Sequence, residues 1–186
     1  MFYPILIAVV VLIISYPYLR MMIKRAVLSY RLKRICSENR YIFHPDHRGW
    51  IFDGLNGSAA SFYVECPEKI YSVKLTGSVG RLRHINFIDS THYSIRRFYG
   101  HFRGIVGGVS FWEDIGYQKE PYDFTYRFCE PYLGKEVIPV VLVCPVPTVV
   151  SAIRDNRRQV LSDGDFTGEG YLYSRRGFLA LLQGIK

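Results

Sequence analysis

No charged side chain of either sign occurs between Phe2 and Leu19, and no acidic one occurs before Glu38. Those absences exclude an ordinary solvated helix face for the opening segment. Cysteine is sparse as well: Cys36, Cys66, Cys129 and Cys144 are widely spaced and never form a CxxC pair. That excludes the ligand spacing of a zinc ribbon, and in a reducing compartment four thiols are expected rather than disulfides. The glycines of YGHFRGIVGGVSF match neither GxGxxG nor a Walker loop, so a phosphate cradle is not indicated. There is no repeat and no low-complexity tract.

What is present begins with FYPILIAVVVLIISYPYL at 2–19. About 18 apolar residues are enough to cross the hydrocarbon layer as one helix. Tyr3, Tyr16 and Tyr18 lie near the ends, where amphipathic rings favour the interface. Pro4 suits a first turn, and Pro17 is expected to bend the helix near its exit. A cleaved signal peptide would carry a basic leading region and a small-residue cleavage site, and neither is found.

Orientation follows from Arg20, Lys24, Arg25, Arg31, Lys33 and Arg34, the cations expected at the membrane interface. Their excess places the N-terminus outside and the bulk of the chain in the cytoplasm, with anionic lipid headgroups as their partners. Without these six, 18 basic side chains face 16 acidic ones. The formal charge of +8 therefore belongs largely to the anchor, and nucleic acid is not an expected partner. Residues 19–37 continue the helix, with Leu28, Leu32 and Ile35 on one side.

The remainder centres on VIPVVLVCPVP at 137–147. Its β-branched content predicts a central strand buried on both faces, which requires cover on both sides. Short strands are expected at 41–43, 50–52, 61–65, 69–76, 82–88 and 92–98, a series typical of an antiparallel meander. The glycine-rich stretch after Phe98 reads as a connection. Residues 121–133 are expected to form a crossover helix presenting Phe124, Phe128 and Tyr132. Residues 149–153 begin a helix or extend the sheet, and 157–161 and 170–173 read as strands. A terminal helix over 175–182 should cover the sheet with Phe178, Leu179 and Leu182. The expected class is α+β: a transmembrane and juxtamembrane helix over 1–36, then one mixed-sheet domain with covering helices over 37–186.

This element order, with WIFDG at 50–54, YSVKL at 71–75 and IPVVLVCPVP at 138–147, resembles a restriction-endonuclease-like domain of the nuclease-related, membrane-anchored kind. The resemblance covers roughly residues 40 to 183. It implies a D…(D/E)xK site, in which two carboxylates hold a divalent cation and a lysine helps to activate water. By that resemblance Asp53 takes the first position and Lys74 the last. The middle position is Ser72, a poor ligand for a hard cation. Glu65 substitutes for it only if its side chain enters the same site.

Other constellations are thinner. His44, Asp46, His47 and Asp53 are close in sequence and of metal-ligating type, with His44 and His47 as candidate ligands, although Pro45-Asp46 also reads as a turn. His84, His92 and His101 join them only if the fold brings them together. Cys144 would be a nucleophile only with an exposed thiol and a base. Asp163, Asp165 and Glu169 lack the ligand series of a calcium loop. Arg96-Arg97, Arg157-Arg158 and Arg175-Arg176 bind an anion only if they form one face.

Together these features favour a single-pass membrane protein whose cytoplasmic domain binds another protein, has no catalysis of its own and needs no cofactor. The alternatives are a metal-dependent phosphodiesterase using Asp53, Glu65 and Lys74 with a divalent metal, or a module binding anionic lipid or nucleic acid.

Overall fold

A computed structural model describes residues 3–45, 59–77, 82–97, 112–126, 134–144, 147 and 149–184. The expected strand at 50–52 and the glycine-rich segment before residue 112 lie outside them.

Helix α1 spans Tyr3–Asn39 without interruption, about 55 Å at a rise of ~1.5 Å per residue. It stops at Arg40, whose positive φ forms a left-handed cap, and Tyr41 N–H donates back to Cys36 C=O at 2.8 Å. Among the described residues, no helix is long and apolar enough to cross a membrane. Along α1 the described side chains Ile7, Val10, Val11, Tyr16, Tyr18 and Leu19 are exposed. From Met21 onward one side is buried: Met21, Arg25, Leu28, Leu32 and Ile35, at alternating spacings of four and three. That is the period of a helix packed along one stripe. The side shared by Leu28, Leu32 and Ile35 is thus the side that enters the core, and this part of α1 belongs to the same core as the strands.

Among the described residues ten strands follow, in two mixed five-stranded sheets. The first sheet contains β1 (Ile42–Pro45), β2 (Phe62–Glu65), β3 (Lys69–Thr76), β7 (Glu136–Val143) and β10 (Tyr171–Ser174), in that spatial order. Pairing is antiparallel from β1 to β3 and parallel from β3 through β7 to β10. The second sheet has the order β6 (Trp112–Gln118), β5 (His92–Arg97), β4 (Leu82–Phe87), β8 (Val149–Arg154), β9 (Arg157–Val160). Asp155 and Asn156, both at positive φ, make the two-residue turn between β8 and β9. Such a turn matches strand twist and favours these residue types.

Strand β7 is the central element that its composition predicts. Val140, Leu142 and Cys144 face a core shared with α1 and with α2 (Arg175–Leu182). Val141 and Val143 face the other way, against Ile85, Phe87, Tyr93 and Ile95 of the second sheet. The domain is thus layered as helices, sheet, sheet, and the α+β class stands. Each fully buried aliphatic side chain contributes about 1.5–3 kcal/mol, so β7 with both faces covered is the stability centre. Phe178, Leu179 and Leu182 of α2 are buried as expected.

Three expectations change. Residues 121–126 are not helical: Asp123 makes a bridge to Ala59, and Tyr122 and Tyr126 are buried beside the sheets. Their aromatic spacing serves an extended segment laid across the core; residues 127–133 lie outside the described set. Strand β6, unforeseen in the sequence, follows the glycine-rich stretch. The strands form no single meander, because β3 and β4 belong to different sheets.

Candidate functional site

Glu65 ends β2, and its carboxylate collects three donors. Lys135 Nζ lies 2.7 Å from Oε1, Tyr126 Oη 3.1 Å from Oε2, and His44 Nε2 3.4 Å from Oε2. His44 reaches it from β1, where it pairs in register with Tyr63. Tyr126 packs edge-on against Tyr63 at 5.0 Å between centroids, and Tyr63 Oη donates to Thr125 C=O at 2.8 Å. The hydrogen bond from Lys135 holds Glu65 below the usual carboxylate range against the opposing effect of burial, and Tyr126 and His44 add to it. Lys135 also donates to Cys66 C=O at 3.1 Å, tying the β2–β3 turn to the entrance of β7.

Lys74 sits on the same face of the first sheet. It is 1% exposed, not a solvated strand lysine, and donates to Ala59 C=O at 2.9 Å. Its ammonium lies 5.9 Å from the centroid of Tyr122. In the β2–β3 register Glu65 stands opposite Ile70. Lys74 is four residues further along, roughly 13 Å at strand rise. The two groups named with Asp53 share a face, and their described side chains are engaged separately, Glu65 by Lys135, Tyr126 and His44 and Lys74 by Ala59 C=O. Asp53, the third member, lies outside the described residues. Ser72, between them in the pattern, is fully buried.

His44 is held by Glu65, and its candidate co-ligand His47 is outside the described residues. Among the described residues no three histidine, cysteine, aspartate or glutamate side chains are grouped to hold a metal ion. His84 Nε2 lies 2.6 Å from Ser151 Oγ on β8, and His92 Nδ1 lies 3.1 Å from the Asp89 carboxylate, so these two histidines serve separate networks. Ser151 donates onward to Asn86 Oδ1 at 2.6 Å. It is fully buried, which places its hydroxyl out of reach of a substrate.

Cys144 is buried, and burial raises its thiol above the ordinary range. Cys36 and Cys66 are pushed up to about 11 for the same reason. None of the three is poised as a thiolate nucleophile. Asp163, Asp165 and Glu169 separate into different roles. Asp163 accepts from Ser174 N–H and Oγ at the start of α2, and Asp165 accepts from Ser162 N–H at 2.7 Å. Glu169 pairs with Lys119 at 2.5 Å, with side chains 9% and 0% exposed. That buried pair has no signal in the sequence, because its members are fifty positions apart.

The cations of α1 divide in two. Arg20, Arg31, Lys33 and Arg34 are exposed and Lys24 is half-buried. Arg25 is fully buried and donates from Nε to Cys144 C=O at 3.2 Å. It therefore faces the domain rather than a headgroup layer; the heptad-like stripe carries it inward with Leu28 and Leu32. Of the arginine pairs, Arg157-Arg158 lie on edge strand β9 and Arg175-Arg176 open α2. The side chains of Arg96-Arg97 are outside the described set.

One cleft of about 270 Å³ is lined by Tyr41, Cys66, Lys69 and Tyr71 with the end of α2. Another of about 250 Å³ lies where β7 and β10 end, beside Asp163 and Ser174. Among the described residues that line them there is no histidine. Comparison with protein-family models, curated proteins and solved structures finds no match for this chain.

Proposed function

We propose that this chain is a single-pass membrane protein whose cytoplasmic α+β domain is an interaction module in a membrane-associated assembly, with no catalysis of its own. The observation that carries the reading is the change along α1. Before Arg20 every described apolar side chain is exposed; from Met21 onward one stripe is buried in the domain. An uncharged apolar segment whose described side chains are exposed, followed by a basic flank, is stable in lipid and costly in water.

The interaction role is supported by how the reactive groups are employed. Glu65, Lys74, Lys119 and Glu169 bind other parts of the fold, and the described cysteines are held as thiols. Of the large exposed apolar side chains described in the domain, Val160, Phe166 and Tyr171 come from β9, β10 and the segment between them, and Ile42 and Ile88 from β1 and the residue after β4. Aromatic and aliphatic groups on the edge strands of the two sheets, β10 of the first and β9 of the second, suit a protein contact.

The test is alkaline carbonate extraction of membranes, followed by protease digestion from each side. Retention in the pellet, with the domain cleaved only from the cytoplasmic side, is expected. Release into the supernatant as an uncleaved chain, or digestion of the domain from the outer side, overturns the anchor. Capture of a stoichiometric protein partner from detergent extracts supports the interaction role, and hydrolysis of a phosphodiester by the purified chain with divalent metal overturns it.

A further inference from the structure

Ser174, the last residue of β10, stands in parallel register with Val143, the last residue of β7, and Arg175 opens α2 at that level. The next residue after β7, Cys144, accepts from Arg25 of α1 through its C=O. Its N–H donates to Thr76 C=O at the end of β3, at 2.8 Å. The carboxyl ends of β3, β7 and β10 therefore share one rim with the start of α2 and the part of α1 nearest Arg20. The opposite end of the domain carries the other termini. There Tyr41, just past α1, lines a cleft with Leu181 and Leu182 of α2 and with Cys66. Cys66 C=O accepts from Lys135, the residue before β7. Both helices thus run the same way, against β7, and both begin at the rim.

That rim is basic. From α1 come Arg20, exposed, and Lys24, half-buried; from α2 come Arg175, half-buried, and Arg176, exposed. Arg20 and Lys24 are four residues apart and share a side of α1. Burial raises the Cys144 thiol, and the charges of Arg25, Arg175 and Lys24 each oppose that rise, so cations of both helices lie around one residue. Asp163 and Asp165 follow β9 and are turned to the backbone N–H groups of Ser174 and Ser162. The side chains left facing outward at the rim are cationic.

Cys144 meets α1 at Arg25, five residues past Arg20, or about 7.5 Å along the axis. For α1 close to the bilayer normal, the headgroup layer covers about 5–8 Å of that rise. At physiological salt a charge acts over roughly another 8 Å. We propose that Lys24, Arg175 and Arg176 dock this rim on an anionic bilayer surface, with the carboxyl ends of β3, β7 and β10 facing the lipid. The proposal rests on the membrane-anchored reading, because the anchor decides which end of the domain stands nearest the bilayer. The occupant is a lipid surface rather than a soluble anion because α1 runs unbroken from the anchor to the rim. The leaflet that holds the anchor is already at that height. A cytoplasmic leaflet carries negative surface potential, and each basic group close to it strengthens attachment by about fivefold.

The test places the full-length chain in vesicles of phosphatidylcholine alone and of phosphatidylcholine mixed with phosphatidylserine. The photoreactive residue p-benzoylphenylalanine replaces either Ser162, exposed beside the rim, or Gln183, exposed at the far end of α2. On irradiation a lipid adduct is expected at position 162 and not at 183, and more of it with phosphatidylserine. Arg175→Ala/Arg176→Ala should lower that adduct at least about fivefold, and Arg175→Lys/Arg176→Lys should restore it. Protease resistance of the domain shows that both variants fold. A chain that resists alkaline extraction yet gives no lipid adduct at 162, or equal adducts at both positions, overturns the docking face and leaves the anchor intact. An adduct at 162 that is indifferent to phosphatidylserine and to the alanines, or one formed with a protein, also overturns the face. A chain released by alkali that binds only phosphatidylserine vesicles, through the two arginines, supports the face and overturns the anchor. A released chain that ignores those vesicles overturns both.

Discussion

Replacing Lys119 with methionine tests whether the two sheets are locked by a buried charge. The Lys119 ammonium donates to Glu169 at 2.5 Å and to Ser90 C=O at 2.6 Å, and sits 3.9 Å above the Tyr122 ring. Glu169 uses its other oxygen to accept Tyr122 N–H at 2.9 Å. Ser90 belongs to the β4–β5 turn of the second sheet, whereas Glu169 immediately precedes β10 of the first. The pair therefore connects the layers. Removing one partner of a buried ion pair strands the other charge and costs about 3–5 kcal/mol. That is a large share of the ~5–15 kcal/mol that holds a typical domain folded. Adding Glu169→Gln removes the stranded charge and keeps an acceptor for Tyr122 N–H. The Lys119→Met/Glu169→Gln double variant is accordingly expected to lose only about 1–2 kcal/mol. Urea unfolding of the full chain in micelles, followed by tryptophan fluorescence, measures both. A Lys119→Met variant within about 1 kcal/mol of the parent would place the pair in the solvent-exposed range. A double variant as unstable as the single one would show that the stranded carboxylate is not the cause. Either result refutes the reasoning.

Gly177→Ala in α2 should destabilise the chain although alanine is the better helix former by about 1 kcal/mol. A methyl group there overlaps the Asp163 carboxylate, which accepts from Ser174 N–H and Oγ, and displacing it disturbs the helix start. A net loss of about 1–3 kcal/mol is expected in thermal unfolding, with recovery in an Asp163→Ala/Gly177→Ala chain. Glu65 has a depressed folded-state pKa, so its contribution is present above the unfolded value of about 4.3 and is lost as pH falls through the lower folded value. Glu65→Gln should be less stable than the parent at pH 7, with the difference closing in acid; a pH-independent difference would count against the Lys135 ion pair. At Cys66 a thiol pushed up to about 11 has roughly a hundred-fold less thiolate at pH 7 than an ordinary cysteine. Alkylation of Cys66, followed by peptide mass spectrometry, should be slower than that of a free thiol by about that factor. Reaction at the free-thiol rate would show that the site opens.

The amino-acid sequence by itself determined the local elements wherever a short window carries the physics. The valine-rich run of β7, the extent of β3 over Lys69–Thr76, the terminal helix over Arg175–Leu182, and the side of α1 shared by Leu28, Leu32 and Ile35 all follow from periodicity and β-branching. Tertiary structure decided what depends on residues far apart in the chain. It assigned the strands to two sheets and laid the aromatics of 121–126 as an extended segment. It turned Arg25 into the core beneath Cys144 C=O and left Glu65 and Lys74 apart on one face. It also paired Lys119 with Glu169 across fifty positions. A charge in the sequence has no environment until packing supplies one. Whether it meets water, a carbonyl or an opposite charge is fixed by which strands stack, and no local pattern encodes that.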